Sequence, residues 1–276
     1  MKKLWTQDKS AAVPMNIRTA LFLAAVCSQS YMQLLGGGLF LVPEGYRMVG
    51  AFQSAGFDGK PADFGFVLES EQAAVLAFRG TNSVSDWVSD FMADQVDFTF
   101  VPGGGLTHRG FTSLYSGARK QTMELLRKLP SSKPLFVTGH SLGGALATLA
   151  ALDISANTGL SAPMVYTFGS PRVGDPVFVR AFNRAIPVSF RIENENDIVP
   201  HLPPIVYRDP KAKKLYFYMH VKNEIKRSFS SGGVSGNHVI GSYFADLARE
   251  DPDFAAAMCG VPPGWCPAWN APSVHS

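Results

Sequence analysis

The residues of this chain best suited to chemistry lie in one stretch, Leu135-Phe136-Val137-Thr138-Gly139-His140-Ser141-Leu142-Gly143-Gly144. An apolar run enters a G-x-S-x-G pattern and an alanine-rich segment leaves it. A serine hydroxyl is a weak nucleophile until something presents it and takes its proton. A sharp strand-to-helix turn does the presenting: it lifts the Ser141 Oγ above the end of a sheet and leaves the Leu142 N–H to hold a developing oxyanion. Gly139 and Gly143 suit such a turn, because strand and helix backbones approach too closely for a Cβ. A Gly-rich turn in which Ser141 only caps the next helix would share part of the pattern. The strand before and the helix after favour the nucleophile. His140 cannot serve its neighbour as base, since adjacent residues on a tight elbow point apart; it reads as a packing or hydrogen-bonding side chain.

Such a serine needs a histidine, and the histidine an acid behind it, in the chain order Ser, acid, His. Glu193, Glu195 and Asp197 follow the apolar run Val188–Ile192 and compete for the acid's place. Two histidines compete for the base. His220 lies inside Leu215–Val221, which reads as a strand. His238 follows the Ser/Gly-rich stretch Ser228–Gly236 and precedes a helical pattern. A base must reach over the carboxyl ends of the strands, which suits His238 and not a mid-strand residue. His108, His201 and His220 read as structural, and His275 lies in the tail.

The elements that would position these groups alternate, short apolar runs with longer helical patterns, as in an α/β domain. Phe64–Leu68 and Ala73–Phe78 read as strands joined by a turn at Glu69–Gln72. Leu114, Tyr115, Ala118, Thr122, Leu125, Leu126 and Leu129 recur at helical spacing, giving a helix over about residues 112–129 that Pro130 stops. Strands are expected at Leu135–Thr138, Met164–Phe168, Val188–Ile192 and Leu215–Val221. Helices are expected from Gly143 to about Asn157, from near Asp175, and over His238–Arg249. Val84, Trp87, Val88, Phe91 and Met92 follow the spacing of an amphipathic helix, with Asp86, Ser89 and Asp90 on the other face. The tail after Gly260, rich in Pro and Trp, reads as a surface wrap. One domain over 1–276 suffices.

Composition narrows the function classes. Lys plus Arg is 25 and Asp plus Glu 22, a net charge of +3, too balanced for an electrostatic nucleic-acid binder. With 46% hydrophobic residues the 276-residue chain can bury a large core and is not generally disordered. The longest apolar run, Ala20–Cys27, falls far short of the ~18–20 residues of a transmembrane helix. Leu21, Ala24, Ala25, Ser28 and Met32 place it on one face of a first helix. No A-x-A site follows it, so a cleaved signal is the weaker reading. That points to a cytoplasmic protein or one released by a non-standard route, with secretion the alternative. Three cysteines make no disulfide framework; whether Cys259 and Cys266 close a small loop is open, as is the oligomeric state.

Five motifs occur in order: Phe78-Arg79-Gly80-Thr81, His108-Arg109-Gly110-Phe111, Gly139-His140-Ser141-Leu142-Gly143-Gly144, the run Tyr166 to Asp175 (YTFGSPRVGD), and Asn196-Asp197-Ile198-Val199-Pro200-His201-Leu202-Pro203. Together they resemble the class 3 lipases, the fungal-type triacylglycerol lipases, over roughly residues 20–250. The ends, 1–19 and 251–276, read as terminal extensions. The resemblance implies an α/β-hydrolase fold, a mostly parallel central sheet flanked by helices, in a single domain with a helical lid over 82–92. It implies ester hydrolysis by a Ser141, Asp197, His238 triad, Asp197 being the acid that matches the family's D-x-V-P pattern. Thr81 and Leu142 would supply the oxyanion N–H groups, and Trp87, Val88 and Phe91 the lid's apolar face. The segment His238 to Tyr243 resembles the family's segment around its histidine, except that Asn237 stands where Asp is more usual. No metal or organic cofactor is needed. The expected substrate is a lipid or ester at an oil–water interface. A phospholipase A1, a feruloyl esterase, a catalytically silent hydrolase-fold interaction protein and a peripheral lipid-binding protein are the alternatives.

Overall fold

A computed structural model describes residues 14–55, 59–81, 93–209 and 213–269. The chain enters through α1 (Ile17–Leu35), capped by Asn16, whose side chain accepts the Thr19 N–H. Three antiparallel strands follow: β1 (Arg47–Ala55), β2 (Pro61–Glu69) and β3 (Ala74–Phe78). Next come the short pair β4 (Gln95–Asp97) and β5 (Leu106–His108), then α2 (Arg109–Leu126). The elbow sits between β6 (Leu135–His140) and α3 (Leu142–Asn157). β7 (Met164–Phe168), α4 (Pro176–Ala185) and β8 (Ser189–Asn194) continue the alternation. A second short pair, β9 (Val206–Arg208) and β10 (Leu215–Phe217), precedes β11 (Glu224–Arg227). The helices α5 (Val234–His238), α6 (Ile240–Ala248) and α7 (Pro252–Cys259) are the last among the described residues.

The main sheet has seven strands in the order β1-β2-β3-β6-β7-β8-β11, parallel from β3 to β11. Its central strands are covered on both faces, so they are continuous apolar runs rather than alternating ones. Alternate residues of β3 divide accordingly. Leu76 and Phe78 join the core under α2, α3 and α4, while Val75 and Ala77 join the core under α1, α6 and α7. This is the mostly parallel, helix-flanked α/β-hydrolase architecture.

Four elements differ from the sequence reading. Leu215–Val221 is not a core strand: only Leu215–Phe217 is extended, in the small β9–β10 pair, with Leu215, Phe217 and Met219 exposed. The seventh strand is Glu224–Arg227, whose exposed Glu224 and Lys226 give it no apolar run. Helix α1 is buried almost all round from Ala20 to Cys27, because the sheet and α6 enclose it, whereas Met32 is exposed. The tail is no mere surface wrap: Trp265 is 1% exposed, and its indole N–H donates to the Met258 carbonyl. Cys259 and Cys266 are joined by a disulfide, and Cys27 is a buried thiol. Among the described residues no helix is long and apolar enough to cross a membrane.

Candidate active site

The turn between β6 and α3 is a backbone-on-backbone junction. A Cβ on Gly139 would lie 2.1 Å from the Gly143 oxygen, and one on Gly143 would lie 2.2 Å from the Phe78 oxygen. Ser141 itself has φ 58° and ψ −130°, a conformation that costs a non-glycine residue energy and is kept only where the surroundings impose it. Its N–H is held by the Phe168 carbonyl of the neighbouring strand at 2.9 Å. Leu142, the first residue of α3, carries one of the N–H groups that a helix start leaves without an intrahelical partner.

Asp197 follows β8 and His238 closes α5, so both arrive at the carboxyl edge of the parallel strands, beside Ser141. His238 Nε2 lies 2.8 Å from Ser141 Oγ, and His238 Nδ1 lies 2.7 Å from Asp197 Oδ2. A carboxylate only accepts, so the neutral ring carries its proton on Nδ1 and offers the Nε2 lone pair to the serine hydroxyl. Asp197 is further held through Oδ1 by the Val199 N–H at 2.9 Å and through Oδ2 by the Tyr243 hydroxyl at 2.7 Å. Burial and the adjacent Asp197 push the Tyr243 phenol well above its ordinary pKa, so it stays a donor. Ser141, Asp197 and His238 are all at most 1% exposed.

The competing groups lie elsewhere. Glu193 is buried against Arg191 and Glu195 pairs with Ser228 and Lys226. His220 Nε2 donates to the Pro200 carbonyl at 2.7 Å. His108 caps α2 through Nδ1, and His201 is exposed in a short 3₁₀ turn. His238 is the last residue of a five-residue helix rather than a loop residue before one long helix.

Thr81 follows β3, next to the elbow. A Cβ on the preceding Gly80 would lie 3.2 Å from the Ser141 Cβ. Arg79 donates to the Gly80 carbonyl at 2.7 Å. In a planar trans peptide the Thr81 N–H must then point the opposite way. The buried Thr81 hydroxyl has no hydrogen-bond partner among the described residues. The expected lid helix, 82–92 with Trp87, Val88 and Phe91, lies outside the described residues.

Asn237, where the family resemblance favours Asp, uses both halves of its amide. Its Nδ2 donates to the Asn196 carbonyl at 3.1 Å and its Oδ1 accepts the Ser231 N–H at 2.7 Å. Asn194 adds a bond to the Asn237 carbonyl, so asparagines tie the Asp197 loop to the His238 segment. Tyr243, although part of the family-like segment, has no role that sequence spacing could assign. Only the fold brings its hydroxyl to Asp197.

The family model "Lipase (class 3)" matches residues 75–207. The chain is 40% identical over 147 residues to a lipase of Rhizomucor miehei, an alignment covering 50% of this chain and 40% of that protein. It is 32% identical over 199 residues to phospholipase A1-II 7 of Oryza sativa subsp. indica, covering 57% of this chain and 48% of the other. The chain thus spans less than half the length of these curated relatives. Lipase II from Rhizopus niveus superposes with a TM-score of 0.63 at 26% identity, over 80% of this chain and 82% of that structure.

Proposed function

We propose that this chain, which matches the class 3 lipase model over residues 75–207 and has the α/β-hydrolase fold, is a class 3 lipase that hydrolyses carboxylic esters, triacylglycerol foremost, through an acyl-enzyme on Ser141. The observation that carries this is the continuous relay from Ser141 Oγ through His238 to Asp197 at 2.8 and 2.7 Å. In this reading His238 Nε2 takes the hydroxyl proton as Oγ attacks the ester carbonyl, and Asp197 stabilises the resulting imidazolium. The N–H groups of Thr81 and Leu142 receive the oxyanion, and the Thr81 hydroxyl, which has no partner among the described residues, adds a third bond. The imidazolium then protonates the leaving alcohol, and a water deprotonated by neutral His238 releases the acid. Residues 82–92 serve as the cover of the site, a role that rests on their amphipathic spacing. The Cys259–Cys266 disulfide favours the secreted alternative, since such bonds persist in oxidising compartments.

A phospholipase A1 is the second reading, favoured by the 32% identity to the rice enzyme. Both predict that an alkyl phosphonate labels Ser141 and that Ser141→Ala loses on the order of 10⁶ in kcat. Emulsified triolein and phosphatidylcholine vesicles, compared at equal acyl concentration, separate them. Absence of labelling on a folded chain would leave only the non-catalytic readings standing.

A further inference from the structure

Helix α1 lies outside the residues that the family model matches, yet one of its side chains reaches the site. Tyr31 places its hydroxyl 2.7 Å from His140 Nδ1, and the same oxygen packs against Gly80. The other ring nitrogen of His140, Nε2, lies 2.5 Å from the backbone carbonyl of His238. The two imidazoles are also in contact, with ring centroids 4.6 Å apart.

The chemistry of these groups fixes the direction of every bond. A carbonyl only accepts, so His140 must carry hydrogen on Nε2. Burial, with the neighbouring His238 adding to it, holds the His140 pKa well below the ordinary imidazole value, so the ring has one proton and Nδ1 is bare. Tyr31 must therefore donate to Nδ1. Burial raises its phenol pKa well above the usual value, so that proton stays on. A single chain of donors runs from the Tyr31 hydroxyl, seated beside Gly80, through the His140 ring to the carbonyl of His238.

We propose that Tyr31 and His140 are positioning residues that hold the Gly80–Thr81 segment and His238 in register across Ser141. The two segments are far apart in sequence and come from opposite sides of the elbow. His140 belongs to the strand that ends at the elbow, so the serine itself is the reference point for both. Arg79 holds the Gly80 carbonyl while the Tyr31 hydroxyl packs against the Gly80 Cα, which confines the strand end on both sides. Neither Tyr31 nor His140 bonds to the triad's reacting atoms; they act on the backbone that carries them. The Tyr31 oxygen also occupies the space beside Gly80, where a Cβ would lie 2.1 Å from it.

This inference rests on reading Ser141, His238 and Thr81 as nucleophile, base and oxyanion donor. The test therefore begins with Ser141-dependent hydrolysis of p-nitrophenyl butyrate by the unaltered chain, whose absence would defeat that reading itself. Given that activity, Tyr31→Phe, His140→Leu and the double variant are assayed at 15 °C, with circular dichroism showing that each is folded. Misplacement of reacting groups by about 1 Å costs about 100-fold. Each single variant is expected to lose about 10- to 100-fold in kcat with KM within twofold. Because the two side chains form one path, the double variant should be no slower than the worse single one. A merely structural role would lower the melting temperature and leave kcat intact in the folded protein. Wild-type kcat in Tyr31→Phe, losses that multiply in the double variant, or a rise in KM alone would each overturn the proposal. If His140→Leu does not fold, Tyr31→Phe, which keeps the ring, decides by its own kcat and KM.

Discussion

Gly169, the residue after β7, offers a measurement of how tightly the site is packed. It has φ +54°, and a Cβ there would lie 2.9 Å from Asp197 Oδ2, 3.0 Å from the Tyr243 hydroxyl and 3.2 Å from His238 Cε1. Gly169→Ala should therefore do two separable things. The left-handed backbone costs an L-residue about 1–2 kcal/mol, which in a chain of this size lowers the melting temperature by about 2–8 °C. The methyl group also forces the carboxylate or the imidazole to give by a few tenths of an ångström. At about 100-fold per ångström of misplacement, that is roughly a tenfold loss in kcat with KM little changed. Gly37→Ala is the matched control. Its φ is +61° and nothing lies within 4 Å of the added Cβ, so it carries the backbone penalty without the contact. Thermal melts and steady-state hydrolysis of p-nitrophenyl butyrate read both variants. The reasoning fails if Gly169→Ala keeps full kcat, or if Gly37→Ala loses as much kcat as Gly169→Ala.

Three further outcomes follow from the geometry. Asn237→Asp turns a donor toward the Asn196 carbonyl into an acceptor and should cost about 1–3 kcal/mol in urea unfolding at pH 7, less at pH 4 where the carboxyl regains a proton. Tyr243→Phe removes the hydroxyl between Asp197 and the Asn194 N–H; a loss of about 2–4 kcal/mol is expected, with kcat falling more than KM changes. Glu193 and His220 should show opposite pH slopes. Burial raises the Glu193 pKa to about 7, so below that pH the native state holds a proton that the unfolded chain has released; this stabilises the native state on acidification and is lost as pH rises through 7. Burial lowers the His220 pKa to about 2, so stability is full above 6.5 and falls as pH drops and the unfolded chain takes up the proton. Between pH 6.5 and 4.5 the two contributions, about 2–3 kcal/mol each, largely cancel. His220→Gln should therefore gain stability on acidification across that window and Glu193→Gln should lose it; parallel slopes in the two variants would contradict the account.

Signals confined to a few consecutive residues were legible in the sequence. The elbow announces itself because its glycines, its serine and the flanking strand and helix are contiguous. Asp197 was distinguishable from Glu193 and Glu195 only through the family-like pattern, since all three follow one strand. Side chains whose role depends on distant partners gave no such signal. Tyr31 and Tyr243 are ordinary aromatic residues on helices until the fold brings one to His140 and the other to Asp197. The edge strand Glu224–Arg227 carries no sequence signal for a physical reason: charged side chains on an edge discourage pairing with other chains and also erase the apolar run. Leu215–Val221 misled in the opposite direction, because its apolar side chains are exposed on a small two-stranded pair rather than buried in the main sheet.

The enclosure of α1 has a consequence for how the protein is made. Residues Ala20–Cys27 are almost wholly buried, but much of what covers them comes from α6 and the end of the chain; Gln29 donates to the Trp265 carbonyl and Arg18 pairs with Asp251. Roughly 210 further residues must be synthesised before α6 begins, which at about 5–20 residues per second is on the order of 10–40 s. Through that interval an apolar helix has the sheet's first strands for shelter and no outer cover. Loop closure over such a separation makes the last step of folding slow relative to helix formation. The growing chain therefore carries α1 partly uncovered until α6 is made, which makes that helix the expected handle for a chaperone during synthesis. Completion of the C-terminal layer, which also delivers His238, is then the event that both hides this helix and assembles the site.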